Sequence, residues 1–255
     1  MRELDYEKLV DDIQDWIIKY IKSAKAEYVV VGLSGGIDSA VSAALCAKAL
    51  GRERVLGLGL PCGSISQDLE DAKLVANFLD IDFEILDLTP IYEKFLEISK
   101  DIPREDNLAL ANLKPRLRMA MLYFVGQTKG KCLIVGTSNR TELAIGYFTK
   151  FGDGAADFEP LASLYKQEVR KIAEILNIPR IVITKAPSAG LWQGQTDEGE
   201  IGLLYDIIDE ILYRIDNNLD FKGFNERDIS QVRKMMSAAE HKLSMPPLFD
   251  VRRAE

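Results

Sequence analysis

Residues 28–50 constrain the fold of this chain more than any other stretch. Tyr28-Val29-Val30-Val31-Gly32-Leu33 is short, apolar and rich in β-branched residues. That is the composition of a strand buried on both faces. It runs straight into Ser34-Gly35-Gly36-Ile37-Asp38-Ser39, and then into an alanine-rich helical stretch, 38–50, closed by Gly51. A strand covered on both faces needs parallel neighbours and helices above and below it. The rest of the chain supplies them. Strands are predicted at 55–60, where Pro61 breaks the run, at 83–88 and at 131–136, with a short fifth at Ile181-Val182-Ile183. Leu9, Ile13, Trp16, Ile17, Tyr20 and Ile21 recur at helical spacing and predict an amphipathic opening helix. Further helices are predicted at 68–79, 108–126, 164–176, 200–216 and 226–241. This alternation predicts an α/β protein: one domain, a doubly wound parallel five-stranded sheet, and helices on both faces. A length of 255 residues suits one large domain, and no internal repeat or linker divides it.

The glycine loop between the first strand and its helix has the chemistry of an anion site. Glycines let backbone N–H groups turn inward and approach a phosphate closely. The helix that follows aims its positive end at the same place. Ser34 and Ser39 add hydroxyl donors. Asp38 is the unexpected member, because a carboxylate beside a phosphate is repulsive unless a cation intervenes; it points to Mg²⁺. The pattern GxxxxGK[ST] is absent and no lysine follows the glycines, so this is not a kinase or GTPase loop.

Charge and cysteine content narrow the field. The net charge is −8, from 32 basic and 40 acidic side chains, which argues against broad nucleic-acid binding. Cys46, Cys62 and Cys132 are odd in number and widely spaced, without a CxxC pair. A disulfide framework or zinc site is not expected, and a reducing cytoplasm fits. The N-terminus has no signal-peptide core, and no apolar run approaches the roughly 20 residues of a membrane helix. Two polar stretches, 61–67 and 188–199, have the composition of binding loops; Gly190, Gly194 and Gly199 punctuate the second.

A second block follows the predicted fourth strand: Gly136-Thr137-Ser138-Asn139-Arg140-Thr141-Glu142, then residues 146–157, Pro160-Leu161 and Leu164-Tyr165-Lys166. Loops at the carboxyl ends of parallel strands carry function in open α/β sheets. If strands one and four are neighbours, Asp38 and Glu142 face one crevice and could hold Mg²⁺ against a triphosphate.

The loop SGGIDS at 34–39 resembles the pyrophosphatase loop of the N-type ATP pyrophosphatases, which split ATP between the α and β phosphates. With it come NLKPRLRM at 112–119, GTSNRTE at 136–142, YFTKFGDGAADFEPL at 147–161, LYKQEVR at 164–170, PSAGLWQGQTDEGEIG at 187–202 and HKLSMPP at 241–247. In that order they resemble the ammonia-dependent NAD synthetases over nearly the whole chain, with an adenine nucleotide alpha hydrolase-like fold. Bacterial members commonly have GTDHAAE in place of GTSNRTE; the Asn-Arg version is closer to archaeal members, and the glutamate persists.

The resemblance implies roles. Gly32, Leu33, Ser34, Gly35, Gly36, Ile37, Asp38, Ser39, Thr137, Lys166 and Ser188 would contact ATP. Asp38 and Glu142 would bind Mg²⁺. Arg116, with Arg118 as the neighbouring alternative, would contact the dinucleotide substrate deamido-NAD together with Lys150, Asp157, His241 and Lys242. Ser34, Asp38 and Lys166 would serve the chemistry, in which ammonia converts an acyl-adenylate to an amide. The chain has no room for a glutamine amidase domain, so free or delivered ammonia is expected. The family is typically a homodimer, which makes the helix at 108–126 a candidate interface. The rival expectations are another ATP pyrophosphatase that amidates a different carboxylate and a catalytically silent ATP-binding module. A silent module would be expected to lack Asp38 or Glu142.

Overall fold

A computed structural model describes residues 2–64, 66–103, 108–188 and 196–249. In it, β1 (Tyr28–Gly32), β2 (Val55–Gly59), β3 (Asp82–Ile85) and β4 (Cys132–Val135) form one sheet in the order β3-β2-β1-β4. All the pairings are parallel, with Val30 opposite Leu56 on one side and Ile134 on the other. Among the described residues the helices are α1 (Tyr6–Ser23), α2 (Ile37–Leu50), α3 (Ser66–Leu79), α4 (Thr89–Ile98), α5 (Leu108–Thr128), α6 (Arg140–Ile145), α7 (Lys166–Ile175), α8 (Arg180–Ile183), α9 (Asp197–Ile201), α10 (Tyr205–Asp216) and α11 (Glu226–Leu243). The strand order reverses between β1 and β4, so the expected neighbours are neighbours and the crevice at their carboxyl ends is the switch point.

The period-two pleat sorts β1 into two cores. Val29 and Val31 pack with Val135 of β4 against α1, α2 and α7 through Ile17, Ile21, Ala40, Ala44, Val169 and Ile172. Val30, Leu56, Leu58 and Ile134 face the other way, onto Val125, Leu117 and Met121 of α5. Alanines on α2 let that helix approach the sheet closely. Each large aliphatic side chain fully buried in these cores is worth about 1.5–3 kcal/mol relative to exposure. A third cluster lies to one side, where α10 and α11 bury Ile208, Ile211, Leu212 and Val232 with Ala144 and Ile145 of α6. On β2, Gly57 leaves open the space that the side chain of Leu33 fills: a Cβ there would lie 2.8 Å from a Leu33 methyl.

Three expectations change. The sheet has four strands rather than five. Ile181-Val182-Ile183 belongs to the single turn α8, and Pro179, with φ −50°, stands at its N-cap. The N–H groups of Val182, Ile183 and Thr184 are spent locally, on the Pro179 carbonyl at 2.8 and 3.3 Å and the Arg180 carbonyl at 2.9 Å, rather than on a ladder. The far edge of β4 is met instead by one rung of backbone: Phe158 bridges Val135, and Asp157 N–H donates to the Ile134 carbonyl at 2.9 Å. The single helix expected at 200–216 is two, α9 and α10, because Gly202 adopts φ 78° and ends the first. Helix α4, opened by Thr89-Pro90, was not among the expectations. Of the two polar stretches, residue 65 and residues 189–195, which include Gly190 and Gly194, lie outside the described residues. Among the described residues no helix is long and apolar enough to cross a membrane.

Candidate active site

The glycine loop is fixed from inside and from behind. Ser39 Oγ donates to the Gly36 carbonyl at 3.0 Å and accepts from Ser34 N–H at 3.2 Å, while Gly36 N–H donates to Ser34 Oγ at 3.2 Å. The two hydroxyls lie 3.1 Å apart. Gly35 has φ 76°, in the left-handed region that favours glycine. It also has no room for a side chain, because a Cβ would lie 2.3 Å from the Asp68 carbonyl oxygen in the first turn of α3. Leu33 N–H continues the ladder to the Leu58 carbonyl at 2.8 Å, and Gly36 is the N-cap of α2. Gly32, Ile37 and Asp38 complete the turn from β1 into α2.

Asp38, on the first turn of α2, and Glu142, on the first turn of α6, meet across the switch point. The Lys166 ammonium lies between them, 2.6 Å from Asp38 Oδ2 and 2.9 Å from Glu142 Oε1. Its side chain is 2% exposed, against 17% for Asp38 and 15% for Glu142. Asn139 braces both acids: its Nδ2 donates to Asp38 Oδ1 at 2.9 Å, and its side chain caps α6 by accepting from Glu142 N–H at 3.0 Å. Lys166 opens α7, where Glu168 accepts from Tyr165 N–H and pairs with Arg2. Lys166 N–H reaches Thr141 Oγ1 at 3.0 Å, and that hydroxyl donates to Asp209 at 2.5 Å. The Tyr205 ring lies 5.1 Å from Lys166 Nζ, and its hydroxyl donates to Asp197 at 3.1 Å.

Burial sets the electrostatics. It works against the Lys166 charge, but Asp38 and Glu142 outweigh it and hold the ammonium above its usual range. Burial pushes the Glu142 carboxyl up to about 7; Lys166 opposes the rise and the Asp38 charge adds to it. The cluster holds two carboxylates against one ammonium, so it has capacity for a further cation. These are hard oxygen donors on the first turns of two facing helices. Among the described residues no group of three or more His, Cys, Asp or Glu side chains is arranged to hold a metal alone. Such a donor set suits Mg²⁺, which binds through one or two carboxylates and completes its shell with waters and substrate phosphates.

The residues assigned to the dinucleotide fall into two places. Arg116 is exposed on α5, and its guanidinium rests on the Lys150 carbonyl at 3.4 Å. Lys150 Nζ in turn donates to the His241 carbonyl. Lys242 Nζ donates to the carbonyls of Gly146 and Phe148, at 2.6 and 2.7 Å, and burial lowers its pKa. The 146–151 loop and the end of α11 are thus tied together around Arg116. Asp157 is separate: it accepts from Ile134 N–H at 2.7 Å and from the Tyr123 hydroxyl at 3.3 Å. Arg118 is occupied inside the fold by Leu60 O and Ser64 Oγ, at 3.0 and 3.1 Å. Thr137 is half-buried after β4, and Ser188 is exposed at the edge of the described residues.

Sequence reasoning passed over Asn139, Tyr205, Asp197 and Glu159. Asn139 lay within a quoted motif, and its place three residues before Glu142 is a capping-box signal. Glu159 lies in the 147–161 motif but has no capping position to mark it. Its carboxylate accepts from Ser138 N–H at 3.1 Å, and burial pushes its pKa up to about 8.

Comparison with known proteins identifies the family. The family model described as NAD synthase matches residues 9–246. The NH(3)-dependent NAD(+) synthetase of Pyrococcus furiosus is 41% identical over 96% of this chain and 95% of its own length. That of Thermococcus kodakarensis is 42% identical, covering 96% and 98%. Among solved structures, NMN synthetase from Francisella tularensis superposes with a TM-score of 0.87 at 35% identity, covering 97% of this chain and all of the other. NH3-dependent NAD synthetase from Campylobacter jejuni superposes at 0.83 and 32%, with the same coverage. The chain belongs to the NAD synthase family.

Proposed function

We propose that the protein is an ammonia-dependent NAD synthetase: it amidates deamido-NAD with ammonia and ATP, giving NAD, AMP and pyrophosphate. The observation that carries this reading is the convergence of Asp38 and Glu142 on Lys166, at the mouth of the glycine loop. The nicotinate carboxylate of the substrate attacks the α-phosphorus, and pyrophosphate leaves. Loop N–H groups from Ser34 to Ser39 and the Lys166 ammonium stabilise the charge that accumulates on the phosphate oxygens. Asp38 and Glu142 would hold Mg²⁺, which would neutralise the triphosphate and its leaving group. Thr137 and Ser188 complete the ATP contacts. Ammonia then attacks the acyl carbon, AMP leaves, and the nitrogen loses a proton to become the amide. Arg116, Lys150, His241 and Lys242 grip the dinucleotide, and Asp157 sets the end of β4 beside it. Positioning dominates such a transfer.

The protein works as a cytoplasmic homodimer in this reading. Ile91, Phe95, Ile98, Leu108 and Phe124 leave an exposed apolar surface on α4 and α5 that a second copy would cover. Light scattering that returns a monomer overturns that part. The decisive assay combines protein, deamido-NAD, ATP, Mg²⁺ and ammonium; NAD and AMP are the expected products, and ADP or no NAD refutes the reaction. The similarity to an NMN synthetase favours one second reading, in which the acceptor is the corresponding mononucleotide. Running both acceptors in competition decides between them by the ratio of kcat/KM.

A further inference from the structure

A second lysine-centred cluster takes no part in the reaction described above. Lys185 follows α8, and its ammonium lies 2.8 Å from Asp68 Oδ1 and 2.6 Å from Asp71 Oδ2. The other oxygen of Asp71 accepts from Gln67 Nε2 at 2.8 Å. The Asp71 side chain is 4% exposed. A buried carboxylate whose oxygens are both engaged has little freedom to move, so the first two turns of α3, which carry Asp68 and Asp71, are fixed in place. Those turns are the wall behind Gly35: a Cβ on Gly35 would lie 2.3 Å from Asp68 O and 2.9 Å from Asp71 Cβ. Lys185 is also three residues before Ser188. One ammonium therefore ties the back of the glycine loop to the segment that leads into an expected ATP contact.

We propose that Lys185 is a positioning residue for ATP, acting through Asp68 and Asp71 in the first two turns of α3 on Gly35. The proposal rests on the reading of residues 32–39 as the ATP loop. Without the lysine, Asp71 keeps its burial and loses its counter-charge. Those turns then shift to hydrate it, and Gly35 loses the wall that sets its N–H direction. Backbone donors around a phosphate tolerate little displacement. The dinucleotide contacts at Arg116, Lys150 and Lys242 share no side chain with this cluster and stay as they are.

The test is calorimetric titration of ATP with Mg²⁺, and separately of deamido-NAD, into the intact wild type, Lys185→Met, Lys185→Arg and Asp68→Asn, with Tm recorded for each. Lys185→Met is expected to weaken ATP about tenfold, equivalent to ~1.4 kcal/mol, and to leave the dinucleotide within about twofold. Lys185→Arg restores ATP affinity. A lower Tm with unchanged ATP affinity, or equal loss of both ligands, overturns the proposal. If Lys185→Met does not fold, Asp68→Asn decides, because it removes the more exposed partner: a smaller, ATP-selective loss supports the proposal and its absence sinks it. A wild type that binds no ATP refutes the ATP-loop reading itself; a wild type that binds and a Lys185→Met that binds equally well refute only this inference.

Discussion

Lys166 and Lys185 each bridge two carboxylates, at nearly the same distances, yet one is 2% exposed and the other 27%. Their partners come from different kinds of place. Asp38 and Glu142 stand on the first turns of helices that leave adjacent strands, so the fold itself aims both at the crevice. Asp68 and Asp71 share one helix turn, which a lysine from elsewhere pins down. The first arrangement concentrates charge in the crevice at the carboxyl ends of β1 and β4; the second braces the start of α3 behind the glycine loop. The same three-group chemistry faces the crevice in one case and braces a helix in the other, and the difference follows from which elements supply the acids.

Lys166→Met should show the largest effect. It leaves two mostly buried carboxylates uncompensated, and breaking such a pair from one side costs about 3–5 kcal/mol. Turnover should fall roughly 10²–10³-fold with the loss of charge stabilisation. The stability loss should be smaller at pH 6 than at pH 8. Glu142 already sits at about 7, and without the ammonium it takes up a proton more readily, which relieves the repulsion. Chemical denaturation at both pH values measures this. Lys185→Met removes a more exposed ammonium that water partly screens, and Gln67 still donates to the buried Asp71, so it should cost less, about 1 kcal/mol. Equal losses for the two lysines would erase the contrast.

If Asp38 holds Mg²⁺ as proposed, Asp38→Asn should lower turnover by roughly 10²-fold, while Tm changes less, since Glu142 still pairs with Lys166 and the asparagine fills the same space. Near-normal turnover at saturating Mg²⁺ would refute that role. Glu159 then gives the smallest and most diagnostic reading. Its carboxylate is held by the Ser138 N–H rather than by an ammonium, and burial takes it to about 8. Below the unfolded value of 4.5 both states are protonated. Between there and about 8 the folded state keeps a proton that the unfolded state has lost, so stability declines as pH rises. Glu159→Gln should flatten the fall in Tm between about pH 5 and 8; an unchanged slope would show that Glu159 titrates normally.

What was legible in the sequence tracks how local the signal is. The step from Val31 through Gly35 to Asp38 is written in consecutive residues, and both strand and loop follow from composition. The pairing of β1 with β4 needed only the logic of alternating strands and helices. Ile181-Val182-Ile183 misled because β-branched residues favour strands, whereas Pro179 and local carbonyls decide the turn there. Helix α4 hid behind Thr89-Pro90, whose proline marks a helix start as readily as a break. Lys185 gave no sign of its role, because its carboxylates lie 117 and 114 positions earlier and meet it only in the folded chain.

The glycine loop has one more dependence, visible in the packing of Leu33 over Gly57. Those two positions occupy a single volume. Over evolutionary time they cannot drift independently: a side chain gained at 57 must be matched by a smaller one at 33, or the loop is lifted from the sheet. Related sequences should therefore trade size between the two positions. A strand residue with no chemistry of its own thus constrains the shape of the glycine loop.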